Sequence, residues 1–308
     1  MKLVHRPRLL NPFVTLDADF WRDGFYAKPD YRYAAMYEFV HLSPSFQAVL
    51  ARRLGVPTPY PQPMDAAAVE PTVDNFYVPR GQLTPRTSRA LRDDPDDAAL
   101  ALVDDWWDAQ GKRLFGVPAP DRPVRVYGSL TRSNPRRTVE LTRGQSDSLV
   151  VQISLGQSRD DAIRALKKAL DQFTFGGGKQ SVHTPQYVFA TSRIRPSSLG
   201  IAAEVLRMYQ YTQDMYPVWW IGNHCHVTRT LSFTQEQALR FTDAELAYRK
   251  RRLHIATSRI LQTALLIAEN AARGRFPCVA PFKEAQLDAL RRRPGRPSKQ
   301  WPTITRTG

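Results

Sequence analysis

The residues that could bind a metal or act as nucleophiles are few, and their spacing does not suit that chemistry. His224, Cys225 and His226 are adjacent, and Cys278 lies far downstream. Neighbouring residues on a helix point about 100° apart, so these three side chains cannot all face one ion. No Cys-x-x-Cys pair supports them. The sequence therefore predicts structural or surface histidines, with no metal and no cofactor.

Two further sequence patterns resemble a phosphate-binding loop and a cluster of acid–base residues. FTFGGGKQS, which starts at Phe173, lacks the first glycine of a phosphate loop and the Ser or Thr that should follow Lys179. It also follows a helical pattern instead of a strand, and its glycines at 176–178 suggest a hinge. Seven aspartates lie within residues 93–108, where they suit the solvated start of a helix and its dipole. Neither pattern predicts a catalytic site.

A recombinase interpretation fails on spacing. His226-x-x-Arg229, with Tyr248 downstream, matches the short His-x-x-Arg element of tyrosine recombinases and their later nucleophile. The first arginine of that family should lie far upstream in a helix, whereas Arg195 and Arg207 are too close. We therefore expect a protein that is not an enzyme.

The charge is strongly positive and unevenly placed. The chain has 44 Lys and Arg against 29 Asp and Glu, a net charge of +15. Residues 1–120 hold 14 cations and 15 anions, whereas residues 121–308 hold 30 and 14. A field of this sign attracts polyanions, so nucleic acid, above all double-stranded DNA, is the leading partner, and an anionic membrane is the second. RNA and RNA polymerase are further candidate partners.

The remaining composition favours a cytoplasmic, nucleoid-associated protein. The chain has two cysteines, no signal-peptide pattern and no apolar run near the roughly 20 residues that a membrane span needs. We therefore expect no membrane partner.

A basic stretch near the end of the sequence, ALRRRPGRPSKQWP, spans Ala289 to Pro302. Its three prolines exclude a helix or a central strand, and its Arg-Pro-Gly-Arg-Pro core resembles an AT-hook, which inserts arginine into a narrow A/T-rich minor groove. Pro294 departs from the hook pattern, and a disordered basic tail is the alternative. Its candidate DNA contacts are Arg291, Arg292, Arg293, Arg296 and Lys299.

A group of helices before this tail supplies the second candidate DNA site. Helices are predicted from Ser198 and from Pro217, and Thr234 and Thr242 each begin a capping box. The last helix is long and carries an apolar stripe of Leu246, Leu253, Ala256, Ile260, Ala264, Ile267 and Ala271.

Arginines lie off this stripe. Arg251, Arg252 and Arg259, beside Lys250, are predicted to point away from the core and to contact phosphates or base edges. The helices resemble the parts of a helix-turn-helix, with the short helix at Thr234 as an alternative recognition element. A solvated basic face is the competing interpretation.

The predicted fold is α+β with four parts. Residues 1–120 form a helical region, with a hairpin capped at Ser43-Pro44 and an irregular, proline-rich connection from Val56 to Pro85. Residues 121–175 alternate apolar and polar positions and then show a helix capped by Ser158, which predicts a small sheet with one helix. Residues 195–280 form the helical DNA-binding domain, and residues 281–308 form the tail.

The predicted sheet has candidate DNA contacts of its own. Its hairpin connection contains Arg132, Arg136 and Arg137, which either contact phosphates or belong to a solvated loop.

Two runs resemble a known group of proteins. They are MYEFVHLSPSF near the N-terminus and, over the C-terminal helices, VLRMYQY, WWIG and RRLHIATSRILQTALLIAENAARGRFP. Together they are similar to transcription-regulator-like proteins of proteobacterial mobile elements, the RovC-like activators among them, over about a third of the chain. The resemblance implies a DNA-binding regulator that acts as a homo-oligomer, and it implies no catalytic residues.

The resulting expectation is a DNA-binding transcription regulator encoded on a bacterial mobile element. The alternative is a plasmid replication or partition factor, or the nucleic-acid-binding subunit of a nucleoprotein complex. A regulator protects one short site on DNA, a replication factor protects an array of repeats, and an RNA-bound subunit carries ribonuclease-sensitive absorbance.

Overall fold

The computed structural model describes residues 13–93, 95–118, 158–170, 185–189, 195–212 and 215–290. Within them the chain is mostly helical with one small antiparallel sheet, an α+β composition. The strands are β1 (Leu16–Ala18), β2 (Phe25–Asp30) and β3 (Val117–Pro118). The helices are α1 (Phe20–Asp23), α2 (Arg32–Leu42), α3 (Pro44–Leu54), α4 (Ala66–Phe76), α5 (Pro85–Asp93), α6 (Pro95–Trp106), α7 (Lys112–Phe115), α8 (Arg159–Leu170), α9 (Pro196–Thr212), α10 (Val218–His224), α11 (Gln235–Arg240) and α12 (Asp243–Ala271).

The sheet lies in the first 120 residues, which the sequence predicts to be helical. Its order is β1-β2-β3, with Leu16 opposite Asp30 and Tyr26 opposite Val117. Two of these strands have two or three residues, which is too short for an alternating pattern to be visible in the sequence. The sheet predicted within residues 121–175, including Arg132, Arg136 and Arg137, lies outside the described residues.

The helical hairpin that the sequence predicts near Ser43 is confirmed. Ser43 is the N-cap of α3, where its hydroxyl accepts a hydrogen bond from the Phe46 amide, and Pro44 occupies the first turn. Gly55 ends the helix at φ 66°, a left-handed conformation that glycine adopts without steric cost.

The irregular connection predicted from Val56 to Pro85 is wrong, because α4 lies within it. Pro71 is inside this helix and removes one of its backbone hydrogen bonds. The helix forms nevertheless because Val69, Thr72, Val73 and Phe76 are all buried, and their successive spacings of 3, 1 and 3 place them on one helical face. Burial of this face offsets the local cost of the proline.

The acidic stretch is helical as predicted over its described residues 95–108, but its carboxylates are not all solvated. Asp105 is buried and accepts a hydrogen bond from the Thr84 amide at 2.9 Å. Asp108 is exposed and pairs with Lys112. The stretch therefore contributes to packing as well as to the surface.

One hydrophobic core joins the N-terminal and C-terminal helices. α2 packs against α9 and α12, and aromatic rings of α2, α4 and α6 stack at its centre. Tyr37 lies 4.8 Å from Trp106, which stacks on Phe76 at 5.0 Å. The N-terminal helices thus hold α12 in place by direct contact.

Across the described ranges, no helix combines the length and the apolar character needed to cross a bilayer.

Candidate nucleic-acid interface

α12 is a helix of 29 residues whose start is set by its own sequence. The Glu245 amide donates to the Thr242 hydroxyl at 3.3 Å, and the Thr242 amide donates to the Glu245 carboxylate at 2.9 Å. This capping box is the predicted one. The same hydrogen bonds from Thr242 lower the pKa of Glu245, which keeps the carboxylate charged at the positive end of the helix dipole.

The buried stripe of α12 differs from the predicted one by a small rotation. Leu246, Ala256 and Ile260 are only half-buried, while Thr257 and Leu261 are buried. The predicted members Leu253, Ala264, Ile267 and Ala271 are buried as expected. The rotation places Thr257 at the contact between α12 and α10. The two helices approach closely there, since a Cβ at Gly222 of α10 would lie 1.9 Å from the Thr257 hydroxyl.

The arginines predicted to lie off the stripe are exposed. Arg251, Arg252 and Arg259 all face solvent, and Tyr248 and Ile255 between and beside them are 60% and 38% exposed. Spacings of three and four residues place these five side chains on one side of the helix. We call this surface the basic face of α12.

No acidic residue interrupts the cationic run of α12. Between Glu245 and the buried Glu269 the helix contains five cations and no anion. The surface of this half of the helix is therefore positive along several turns. The cations are Arg249, Lys250, Arg251, Arg252 and Arg259.

Two of these cations have aromatic partners in the structure. The Lys250 ammonium lies 4.8 Å from the centre of the Trp219 ring, and the Arg249 guanidinium lies 4.4 Å from the centre of the Phe241 ring. Such contacts are attractive because the ring faces carry negative charge density. Lys250, which the sequence groups with the DNA-contacting residues, is thus half-buried against α10.

The connection between α10 and α11 is held against this part of α12. Asn223 donates to the Phe233 carbonyl at 2.9 Å and accepts from the Phe233 amide at 2.8 Å. Phe233 stacks with Trp219 and meets Phe241 edge to face. Arg249 also donates to the Thr230 carbonyl at 2.9 Å. We call Trp219, Asn223, Phe233, Phe241 and Arg249 the aromatic clasp.

Sequence reasoning missed the aromatic clasp, although a signal for it exists. Phe233 and Phe241 are large aromatic residues within a polar stretch, Trp219 lies in the short apolar run VWWIG before it, and all three precede the adjacent cations Arg249 and Lys250. Their contacts stiffen the base of the basic face, because each ring meets either a cation or another ring.

The other helices follow the predicted order. α9 begins at Pro196, two residues before the predicted start at Ser198, and α10 begins at Val218, directly after Pro217. α11 has the predicted capping box between Thr234 and Gln237. α10 packs against both α9 and α12. α11 has six residues, of which only Ala238 is buried. This leaves α12 as the longest exposed helical surface in the group.

The residues considered for metal binding do not gather at one point. His224 stacks on Trp220 with ring centres 5.1 Å apart, Cys225 is buried, and His226 is exposed with φ 49°. Within the parts of the chain that the structure describes, no group of three His, Cys, Asp or Glu side chains could hold a metal ion.

A buried polar network at the far end of α12 was not predicted. Both carboxylate oxygens of Glu269 accept hydrogen bonds: Oε1 from Ser43 at 2.7 Å and Oε2 from the Ser45 hydroxyl at 2.6 Å. Arg273 pairs with Glu269 and forms two hydrogen bonds to Asp65, at 2.6 and 2.7 Å. We call Ser43, Ser45, Asp65, Glu269 and Arg273 the buried network.

The predicted tail contacts, Arg291, Arg292, Arg293, Arg296 and Lys299, lie outside the described residues. The chain before them is attached to the buried network, since the Gln286 amide donates to Glu269 at 3.1 Å. The described segment around Gln286 therefore lies near the C-terminal end of α12.

Three comparisons with known proteins complete the description of the site. No protein-family model matches the chain, and neither the curated proteins nor the solved structures include a match to it.

Proposed function

We propose that this chain binds double-stranded DNA as a transcription regulator, and that the basic face of α12 is its main contact surface. The observation that supports the proposal most directly is the exposure of Arg251, Arg252 and Arg259 on one side of a helix that carries no acidic side chain from residue 246 to residue 268. Arginine in such an arrangement can reach phosphates and guanine edges.

The packing around α12 supports the same proposal. An α-helix enters the major groove only where its outward side is uncovered over several turns. α10 and the aromatic clasp lie on the inner side of the helix and leave the basic face open. In this proposal α9, α10 and α12 act as a helix-turn-helix-like unit with a long connection, and the chain works as a homo-oligomer.

Binding to duplex DNA measured by fluorescence anisotropy tests the proposal. The wild-type chain is expected to bind with an affinity that falls steeply with salt, with a log–log slope of about 0.9 for each neutralised phosphate. Replacing Arg251, Arg252 and Arg259 by alanine should reduce affinity at least tenfold and lower that slope by about 1 for each lost phosphate contact.

A matched variant controls for the loss of charge. Three arginines of the N-terminal region, Arg89, Arg92 and Arg113, are also exposed. Replacing them by alanine removes an equal number of positive charges, three, from a different part of the surface. This control should bind DNA nearly as the wild type does. Equal losses in both variants would indicate that only net charge matters, and a salt-independent affinity would contradict nucleic-acid binding altogether.

A further inference from the structure

Ile255 is an apolar side chain exposed on the otherwise cationic basic face of α12. It is an exposed isoleucine between Arg252 and Arg259, three residues after the first and four before the second. The spacing places the three side chains on consecutive turns of the same side of α12. Arg252 and Arg259 are separated by about 10 Å along the helix axis, which corresponds to about three base pairs of DNA.

The backbone beneath Ile255 is held rigidly. On the opposite side of the helix, Leu253 and Thr257 are fully buried, and the Thr257 hydroxyl donates to the Leu253 carbonyl at 2.7 Å. Gly222 of α10 lies so close to Thr257 that a methyl group at that position would overlap its hydroxyl. Close packing of this kind fixes where the outward side chains point.

The chemistry of the face favours DNA over a second copy of the chain. Two copies meeting through this surface would bring Arg251, Arg252 and Arg259 of one against the same residues of the other, which is repulsive. The major groove instead offers guanine O6 and N7 to arginine and the 5-methyl group of thymine to an apolar side chain.

We infer that Ile255 is a specificity-determining residue that contacts the 5-methyl group of a thymine, between two base pairs reached by Arg252 and Arg259. This inference rests on the proposed function. It assigns the basic face a preference for a thymine at one position, in addition to electrostatic attraction to the backbone.

The experiment begins with duplex sites selected by the wild-type chain from a random DNA library. Each thymine of the selected site is then replaced by deoxyuridine, which removes only the 5-methyl group and preserves base pairing. One such replacement should weaken wild-type binding by about fourfold, the equivalent of one buried methyl group. In Ile255→Ala the same replacement should have no effect, and the variant should bind thymine and deoxyuridine duplexes equally.

A matched control uses the same substitution elsewhere. Ile163 in α8 is 42% exposed, so Ile163→Ala should keep the full sensitivity to deoxyuridine. Both isoleucines are exposed, and neither substitution should change the thermal midpoint, which circular dichroism checks.

The outcomes separate this inference from the proposed function. If no duplex is selected and no salt-dependent binding is seen, the proposed function fails. If a site is selected but deoxyuridine has no effect, or its effect persists in Ile255→Ala, the inference is overturned while DNA binding stands. If Ile255→Ala instead changes the oligomeric mass in analytical ultracentrifugation and leaves deoxyuridine sensitivity intact, the face is an interface between copies and the inference is likewise overturned.

Discussion

The two ends of α12 carry charges that serve opposite purposes. Near its C-terminal end, Glu269 is fully buried, and its carboxylate accepts hydrogen bonds from Ser43, Ser45 and Gln286 and pairs with Arg273. Nearer its N-terminal end, Arg251 and Arg252 are exposed, and Arg259, just past the middle of the helix, is exposed as well.

The difference shows how one helix divides structural and functional roles. A buried charge is stable only when its hydrogen bonds are complete. The partners of Glu269 accordingly come from the start of α3, from Arg273 and from Gln286. An exposed charge costs little to leave in water and remains available to a ligand. The comparison predicts that substitutions at the two ends will affect different measurements.

The largest effect is expected from Glu269→Ala. Removing one partner of a buried ion pair leaves the Ser43 and Ser45 hydroxyls without their acceptor and leaves Arg273 with Asp65 as its only carboxylate partner in the network, which should lower the free energy of unfolding by about 3 to 5 kcal/mol. Chemical denaturation measures the change. Glu236→Ala, at an exposed position of α11, is the matched control and should change stability by no more than about 0.5 kcal/mol. Similar losses in both variants would contradict the contrast between the two ends.

A second effect concerns His41, which belongs to α2, one of the N-terminal helices that pack against α12. Its Nδ1 lies 2.9 Å from the Tyr37 carbonyl, and its ring lies 5.0 Å from that of Phe46. Burial lowers the pKa of His41 to about 4, from an ordinary value of 6.5. The unfolded chain therefore binds a proton more readily than the folded chain between these two pH values.

The consequence is a loss of stability on acidification. The contribution of His41 is complete above pH 6.5 and should decrease by about 1 to 3 kcal/mol as the pH falls to 4. His41→Gln should flatten this part of the stability–pH curve. Coincident curves for wild type and His41→Gln would show that another group titrates.

A third prediction extends the comparison to the basic tail. Deletion of Arg291 to Gly308 should weaken binding by roughly tenfold or more on DNA with A/T-rich flanks, and by less on G/C-rich flanks of the same length. The reason is that only A/T-rich DNA has the narrow minor groove that attracts inserted arginine. Anisotropy with paired duplexes measures the difference. An equal loss on both flanks would indicate a general electrostatic arm, and no loss would indicate a tail without a DNA contact.

The smallest effect should be the stability change of the variant with alanine at Arg251, Arg252 and Arg259. These side chains lie off the buried stripe, so the free energy of unfolding should change by less than about 0.5 kcal/mol, although DNA affinity falls. Thermal denaturation followed by circular dichroism measures it. Early unfolding of the triple variant would assign these arginines a structural role.

Local sequence patterns determined much of the helical part of this protein. Ser43 with Pro44, Thr234 with Gln237 and Thr242 with Glu245 begin helices as predicted, because a cap and its partner are only a few residues apart. The exposure of Arg251, Arg252 and Arg259 also follows from helical periodicity alone.

Only the tertiary structure decided which elements form against the local signal and which distant groups meet. α4 forms across Pro71 because its buried face packs against the core. The short strands form only because they pair with one another through backbone hydrogen bonds. Glu269 meets Ser43 across 226 residues of sequence, and Arg273 meets Asp65 across 208. No spacing rule reaches that far, since such contacts depend on how helices cross in the core and not on the period of any one helix.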